Sequence, residues 1–178
     1  SAVGKSGFVE SENKTLPPTL TPNLESRVRS SDLLIQRSNT FELVGSVCLV
    51  GEVSDNLLLC DKTLRLNVDE SLADKRFLLA ALKSSDVRRQ IEMAAAGSSG
   101  SMKNIGQLAI RGLRIAAPQL EEQIAIADSV AKLLADVSGN EADLAKLCRL
   151  KNGLMHDLLT GRVSVTPLLA KPEAQDSS

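Results

Sequence analysis

The side chains that could do acid–base, nucleophilic or metal chemistry are few in this sequence and widely scattered. The single histidine, His156, lies in a helical segment without a neighbouring ligand or nucleophile that would complete a metal or catalytic set. Glu121 and Glu122 are adjacent at a helix start, so their side chains diverge by about 100° and cannot face each other across a substrate. We therefore expect no catalytic residue, no metal site and no enzyme.

A Gly/Ser-rich segment, residues 97–104, is superficially similar to a phosphate-binding loop. It carries Ser98, Ser101 and Lys103, but it follows a helix and leads toward a strand, which is the wrong context for a nucleotide-binding loop. The segment is therefore either a mobile turn or a loop that contacts a DNA backbone, because small hydroxyl side chains and a lysine can approach phosphates closely.

Composition and charge limit the class of protein. With 178 residues, 43% of them hydrophobic and 24% charged, the chain is long enough for one domain, or for a small domain with an appendage. It has no Trp or Tyr and three Phe, which argues against aromatic platforms for single-stranded bases. Residues 1–118 carry a net charge of +2 and residues 119–178 a net charge of −3, so any DNA contact is expected in the first part.

The cellular location is predicted from the cysteines and the hydropathy. No C-x-x-C spacing links Cys48, Cys60 and Cys148, which favours reduced, mostly buried thiols and a cytosolic protein. No apolar run approaches the roughly 20 residues that span a bilayer, and no signal-peptide pattern opens the chain. We therefore expect a cytoplasmic protein that does not contact a membrane.

The first part of the chain is predicted to be a small mixed domain. Three prolines among the first thirty residues favour an extended loop there. Period-two alternation and β-branched residues then predict short strands of a compact, curved sheet. The predicted strands are residues 33–35, 43–53, 64–68 and 107–116. Helical periodicity predicts helices at 74–83 and 85–96, the second with Ser85 as its N-cap.

A long helix is predicted for residues 119–160. Pro118 suits its first turn, and Gly161 suits the left-handed residue that ends a helix. Apolar residues recur along it at alternating spacings of four and three, and form a seam: Ile126, Val130, Leu133, Val137, Leu144, Leu147, Leu154 and Leu158. An uninterrupted helix of this length spans roughly 60 Å, so the seam is expected to need a partner helix.

Two positions of the seam are polar, Asn140 and Lys151. Asn140 follows Gly139, so this point either fixes the register of helix pairing or breaks the segment into a helical hairpin. Residues 163–178, with two prolines and a polar end, are expected to be a disordered tail.

Four segments resemble one family in their sequence and in their order. They are residues 32–39, 95–105, 118–124 and 150–163. The first reads D-L-L-I-Q-R-S-N and resembles a strand and turn of type I restriction–modification specificity subunits, with Ser31 where that pattern usually carries Gly. The second resembles the loop that closes their target-recognition domain. The third, P-Q-L-E-E-Q-I, and the fourth, which includes L-L-T-G-R-V, resemble the start and end of their long spacer helix. The resemblance covers about residues 25–163.

The resemblance implies an α+β fold, in which a small curved sheet with short helices precedes a long C-terminal helix that forms a coiled coil. The implied domains are residues 1–117 for a target-recognition domain that lacks part of its N-terminal region, 118–162 for the spacer and dimerisation helix, and 163–178 for the tail. In such a family, two halves pair through helices that run in opposite directions. Separate methyltransferase and motor subunits do the chemistry, and the specificity subunit binds no cofactor itself.

The leading hypothesis is a non-catalytic component that recognises double-stranded DNA, docks methyltransferase subunits, and pairs as a homodimer or with another specificity half. The expected DNA-facing residues are Arg37, Ser38, Asn39, Ser98, Ser101 and Lys103. Arg and Asn can make bidentate contacts to base edges, whereas Ser and Lys suit phosphates. Alternatively, Ser38 and Asn39 form a strand-end turn. For the whole chain, the alternative is a truncated fragment that acts only as a helical oligomerisation or assembly module, without DNA recognition.

Overall fold

The computed structural model describes residues 2–4, 7–96 and 102–166. The chain separates into two compact units, Ser1–Val130 and Ala131–Ser178. The fold class is α+β, as the sequence predicts, with small antiparallel sheets and short helices before one long helix. Within the described residues, no helix has both the length and the apolar character needed to cross a membrane.

Antiparallel pairing organises the strands of the first unit. The strands are β1 Val3–Gly4, β2 Gly7–Phe8, β3 Leu33–Gln36, β4 Ser38–Asn39, β5 Val47–Leu49, β6 Thr63–Leu66 and β7 Lys103–Asn104. The central strand of the largest sheet is β3, where Ile35 faces Val47 of β5 on one side and Leu64 of β6 on the other. Two further pairs form between β1 and β2 and between β4 and β7. Three of the four predicted strands are therefore confirmed, with changed ends.

The core lies on both faces of β3. One cluster of buried side chains consists of Leu33, Ile35, Val44, Val47, Leu82, Val87, Ile91 and Ile105. The other consists of Val3, Val28, Leu34, Cys48 and Val50. Successive side chains of a strand point to opposite faces, so Leu34 enters a different cluster from its two neighbours. Burial on both faces explains why this strand reads as a continuous apolar run.

The described residues form four α-helices. They are α1 Lys75–Leu82, α2 Ser85–Ala94, α3 Gln107–Arg111 and α4 Leu120–Leu159. The first begins where the carboxylate of Asp74 accepts hydrogen bonds from two backbone N–H groups, at 2.8 and 2.9 Å. The second begins at Ser84, whose hydroxyl accepts from the N–H of Val87 at 3.4 Å. Its N-cap is therefore one residue before the predicted Ser85.

The strand predicted for residues 107–116 is wrong, because the segment begins with α3. Leu108 is 84% exposed, whereas Ala109, Ile110 and Leu113 pack against the core. In a helix Leu108 can point to solvent while Ala109 and Ile110 face the core, whereas a strand would have buried Leu108 together with Ile110. The chain returns to a sheet earlier, at β7.

The long helix α4 is continuous, so the alternative of a hairpin broken at Gly139 is wrong. It is followed by Gly161 with a φ of +69°, the left-handed conformation predicted for this glycine. Among the eight predicted seam residues, Val130 is half-buried and the other seven are exposed. The single chain therefore leaves nearly the whole apolar seam uncovered.

The three cysteines are free thiols with different surroundings. Cys48 is buried, and this burial raises the pKa of its thiol to about 11, although nearby Lys83 lowers it in part. Cys60 and Cys148 are exposed, so the prediction of mostly buried thiols holds for one residue of three.

Candidate nucleic-acid interface

The pairing of β4 with β7 brings together two segments predicted to contact DNA. Asn39 lies directly opposite Lys103, and Ser38 lies opposite Asn104. Side chains directly opposite each other in an antiparallel pair have Cβ atoms about 5 Å apart. The amide of Asn39 and the ammonium of Lys103 can therefore act on neighbouring groups of one ligand.

The backbone of Arg37 connects this pair of strands to the central sheet. Its N–H donates to the carbonyl oxygen of Lys62 at 2.8 Å, and its own carbonyl oxygen accepts from the N–H of Ile105 at 2.8 Å. The Arg37 side chain is half-buried. Arg37 thus lies where β3 ends, with the turn before β6 on one side and the end of β7 on the other.

A buried amide fixes the corner between β3 and β4. Gln36 is 4% exposed, and its Nε2 donates to the carbonyl oxygen of Ser38 at 3.0 Å. Its Oε1 accepts from the hydroxyl of Thr63 at 3.1 Å. Because a buried polar group without partners costs about 1–3 kcal/mol, an amide whose oxygen and nitrogen both have partners favours one geometry of the corner.

Hydrogen bonds from α2 stabilise the turn after β4. The Oδ1 of Asn39 accepts from the N–H of Thr40 at 2.8 Å. The guanidinium of Arg88 donates to the carbonyl oxygens of Phe41 and Val44, the latter at 2.6 Å. Asn39 therefore makes the turn contact that the alternative interpretation expects, but its Nδ2 has no hydrogen-bond partner among the described residues and is available to a ligand.

Backbone pairing brings three cationic residues to this edge of the domain. Arg37 and Lys103 are half-buried, and Lys62 is exposed. Among the described residues, no ion pair is recorded for Arg37 or Lys62, although the exposed Asp61 precedes Lys62 in the chain. Lys62 was not selected from the sequence, because only the register of β3 with β6 brings its turn to Arg37.

The Gly/Ser-rich segment 97–104 is only partly described. Ser98 and Ser101 lie outside the described residues. Lys103 belongs to a short strand rather than to a free loop, so the interpretation of the whole segment as an irregular turn is wrong at its end. The strand fixes the backbone of Lys103 opposite Asn39.

The arrangement supplies hydrogen-bond donors and positive charge. Arginine and asparagine side chains can read base edges in pairs of hydrogen bonds, and lysine and serine can bind phosphate oxygens. Within the described part of the chain, no group of three His, Cys, Asp or Glu side chains is placed to hold a metal ion. The site therefore offers the donors and the positive charge that an anionic, hydrogen-bonding polymer would require.

The start of α4 contains a residue whose role the sequence did not reveal. Gln123 is 1% exposed, and its Nε2 donates to the carbonyl oxygens of Pro118 at 2.8 Å and Leu72 at 3.2 Å. Its Oε1 accepts from the N–H of Asp74 at 3.1 Å. The glutamine of the L-E-E-Q motif therefore ties the first turn of the helix to the segment that begins α1. Glu121 and Glu122 remain exposed in the first turn, as expected of residues that complement the helix dipole.

Comparison with known proteins identifies a related protein of known class. No family model matches the sequence. The chain is 27% identical over 130 residues to the type I restriction enzyme EcoEI specificity subunit of Escherichia coli. The match covers 73% of this chain and 22% of that protein, so the chain spans about a fifth of the length of its relative. Over most of its length, therefore, the chain is similar to part of a type I restriction enzyme specificity subunit, in agreement with the resemblance of its sequence motifs.

Proposed function

We propose that this chain is the sequence-specific DNA-recognition component of a type I restriction–modification system and is not itself catalytic. The observation that carries the proposal is the pairing of β4 with β7, which places Asn39 beside Lys103 and both near Arg37. The similarity to a specificity subunit supports the same function. The methyltransferase and nuclease activities of such a system belong to other subunits in this proposal.

In the proposed complex, the edge formed by β4 and β7 faces the DNA. Arg37 and Asn39 contact base edges, because each presents donors that suit guanine or adenine. Ser38 and Lys103 contact the phosphate backbone and set the position of the domain on the duplex. Lys62 adds a further phosphate contact, since its turn is hydrogen-bonded to the backbone of Arg37.

The division of labour along the chain follows the sequence prediction. Residues 1–117 form the recognition domain, and 118–162 form the helix that pairs with a second helix and docks methyltransferase subunits. The exposed apolar seam of α4 supports pairing, because seven large or β-branched side chains on one helix face lack cover in the single chain. The partner helix comes from a second copy or from another specificity half.

Duplex binding at several salt concentrations tests the proposal. Arg37→Ala is expected to weaken binding by roughly 10-fold or more, the loss of one good base contact. Lys103→Ala is expected to lower the slope of log affinity against log salt by about 1, the loss of one phosphate contact. Lys146→Ala, an exposed lysine in the middle of α4, is the matched control and is expected to change neither quantity.

A second candidate function is an assembly module that pairs through α4 without recognising DNA. The observation in its favour is that most of the seam belongs to the second compact unit, apart from the unit that contains β4 and β7. Gel retardation separates the two functions. Absence of retardation even at low salt, by a protein that is folded and oligomeric, would reject DNA recognition and favour the assembly module.

A further inference from the structure

The polar members of the α4 seam restrict how the helix can pair. Asn140 and Lys151 occupy seam positions, while the other seam residues of the second unit are leucine or valine. A polar side chain inside a helix–helix seam is costly when it faces an apolar one, and favourable registers give it a polar partner. The positions of these two residues therefore indicate which pairing register the sequence favours.

In one antiparallel register, the two polar residues of one copy face the two polar residues of the other. When Leu144 is level with Leu147 of a second copy, Val137 is level with Leu154 and Leu133 with Leu158. In this register Asn140 of each copy faces Lys151 of the other. The amide oxygen of Asn140 can accept from the ammonium of Lys151, and every other layer from Leu133 to Leu158 is apolar.

The competing registers separate these residues. A shift of one heptad sets Asn140 against Leu144 and Lys151 against Leu133. A parallel pair in register sets Lys151 against Lys151, so that two like charges meet inside the seam. Only the first arrangement satisfies both polar positions at once.

The charges along α4 favour the same arrangement. Residues 131–145 carry one lysine and three carboxylates, a net charge of −2, and residues 146–160 carry three cations and one aspartate, a net charge of +2. Antiparallel pairing about the point between these halves sets each half against its opposite in charge. Parallel pairing sets like against like.

The residues that flank the seam show one match and one conflict in this register. Leu134 and Met155, both exposed, come to the same flank and extend the apolar contact. Asp136 and Asp157 also come to one flank, where Asp157 pairs with Arg162 of its own chain at 3.5 Å. The internal ion pair reduces the repulsion between the two aspartates.

We propose that α4 is self-complementary and pairs antiparallel with α4 of a second copy, with Asn140 of each chain facing Lys151 of the other. The proposal rests on the proposed function only in taking α4 as a pairing helix. The family resemblance already implies that the paired helices run in opposite directions. The proposal adds the choice of a second copy over another specificity half, and it adds the register, which the resemblance does not supply.

Disulfide trapping of the full chain tests the register. In a background with Cys60→Ser and Cys148→Ser, which removes the exposed thiols, Val137→Cys and Leu154→Cys are made in separate chains. Facing seam positions come close enough for a disulfide. Oxidation of the two chains mixed is expected to give a linked dimer of one chain of each kind, while each chain alone stays unlinked. Ala135→Cys, on the opposite face of the helix, is the control and is expected to stay unlinked in every mixture.

Three other outcomes overturn the proposal in different ways. Linkage of Val137→Cys with itself indicates a parallel pair. Linkage of Val137→Cys with Leu147→Cys, in preference to Leu154→Cys, indicates a register shifted by one heptad. A monomeric mass by light scattering, with helix content retained by circular dichroism, rejects pairing between copies and leaves the proposed pairing with another specificity half standing. The first outcome rejects the antiparallel direction and the second rejects only the register, and the proposed function stands in both.

Discussion

Gly45 lies where the chain passes beneath α2 after the turn that follows β4. Its φ is +76°, and a Cβ added there would lie 2.5 Å from Cγ2 of Ile91. Both the left-handed backbone and the contact exclude a side chain at this position. The glycine thus lets α2 approach the turn closely enough for Arg88 to reach its carbonyl oxygens.

Gly45→Ala is expected to lower the free energy of unfolding by about 3 kcal/mol, the sum of left-handed strain and overpacking. Urea denaturation measures the change. Gly51→Ala is the matched control, because nothing lies within 4 Å of its added Cβ, and is expected to change stability by less than about 1 kcal/mol. Equal effects of the two substitutions would contradict the packing of α2 on this turn.

Gln123 is the second residue at which a substitution is expected to lower the free energy of unfolding more than at neighbouring positions. Gln123→Leu removes one acceptor and one amide donor group from a buried site and leaves the N–H of Asp74 and two carbonyl oxygens without their partner. We expect a loss of about 2–3 kcal/mol in the free energy of unfolding, measured in urea. The exposed Glu122→Leu serves as the control, and a Gln123→Leu protein as stable as this control would show that the amide contacts contribute nothing.

Residues of the candidate interface and of the start of α4 differ in how far the sequence could predict them. Arg37 and Asn39 follow an apolar strand, so residue type and position already suggest them, and the structure brings them close to Lys103. Lys62 and Gln123 carry no such local signal, because each depends on contacts with segments distant in the chain. Lys62 and Gln123 can be identified only when the strand register and the helix packing are known, and a single sequence does not specify either.

At the scale of elements, α1 depends on the carboxylate that caps it. Partial burial raises the pKa of Asp74, but hydrogen bonds from Phe77 and Arg76 and the charge of Arg76 outweigh this and bring the pKa below its ordinary value of 3.8. A carboxyl group whose pKa is lower in the folded than in the unfolded protein stabilises the fold above its unfolded pKa. That contribution is lost as the pH falls through the folded pKa.

Asp74→Ala is therefore expected to lower the free energy of unfolding by about 1 kcal/mol at neutral pH, as typical of an N-cap. The difference between the two proteins is expected to shrink as the pH falls below about 4, where the wild-type carboxylate becomes protonated. Urea denaturation of both proteins at a series of pH values measures this difference in the free energy of unfolding. A difference that stays constant from pH 7 to pH 2 would mean that the charge of Asp74 has no part in capping.

The proposed pairing depends on the seam of α4. Leu133→Lys with Leu147→Lys is expected to give a monomer, because four lysines would enter the seam of each dimer. Light scattering gives the mass. Ala135→Lys with Ala142→Lys, on the exposed opposite face, adds the same charge and is expected to leave the dimer intact. If the protein with Leu133→Lys and Leu147→Lys stays dimeric, the copies do not pair through the seam of α4.

The long helix α4, the helices α1 and α2 and the strands of three or four residues were predictable, whereas the two-residue strands and the shortest helix were not. The spacing of four and three residues and the terminal Gly161 predicted α4 almost to its ends, and caps and periodicity predicted α1 and α2. Strands of two residues, such as β4 and β7, have no periodicity to detect, because their pairing is decided by contacts with the rest of the fold. Because α3 is also short, its segment was wrongly predicted to be a strand.

At the scale of the whole molecule, the proposed DNA recognition and the proposed pairing of α4 together predict the kind of target. Two identical recognition domains related by a two-fold axis favour a target of two identical, inverted half-sites. An antiparallel pair of α4 helices supplies such an axis. Pairing with a different specificity half would instead favour a target of two unlike parts.

Selection of bound duplexes from a random pool, followed by sequencing, tests DNA recognition most directly. The full chain is expected to retain duplexes that share two inverted copies of one short sequence at a fixed separation. Arg37→Ala is expected to lose or relax at least one base of that sequence, since a specific contact distinguishes one base pair from the others. Retained duplexes without any common sequence, or no retention at low salt by a folded protein, would contradict the claim that this chain reads DNA.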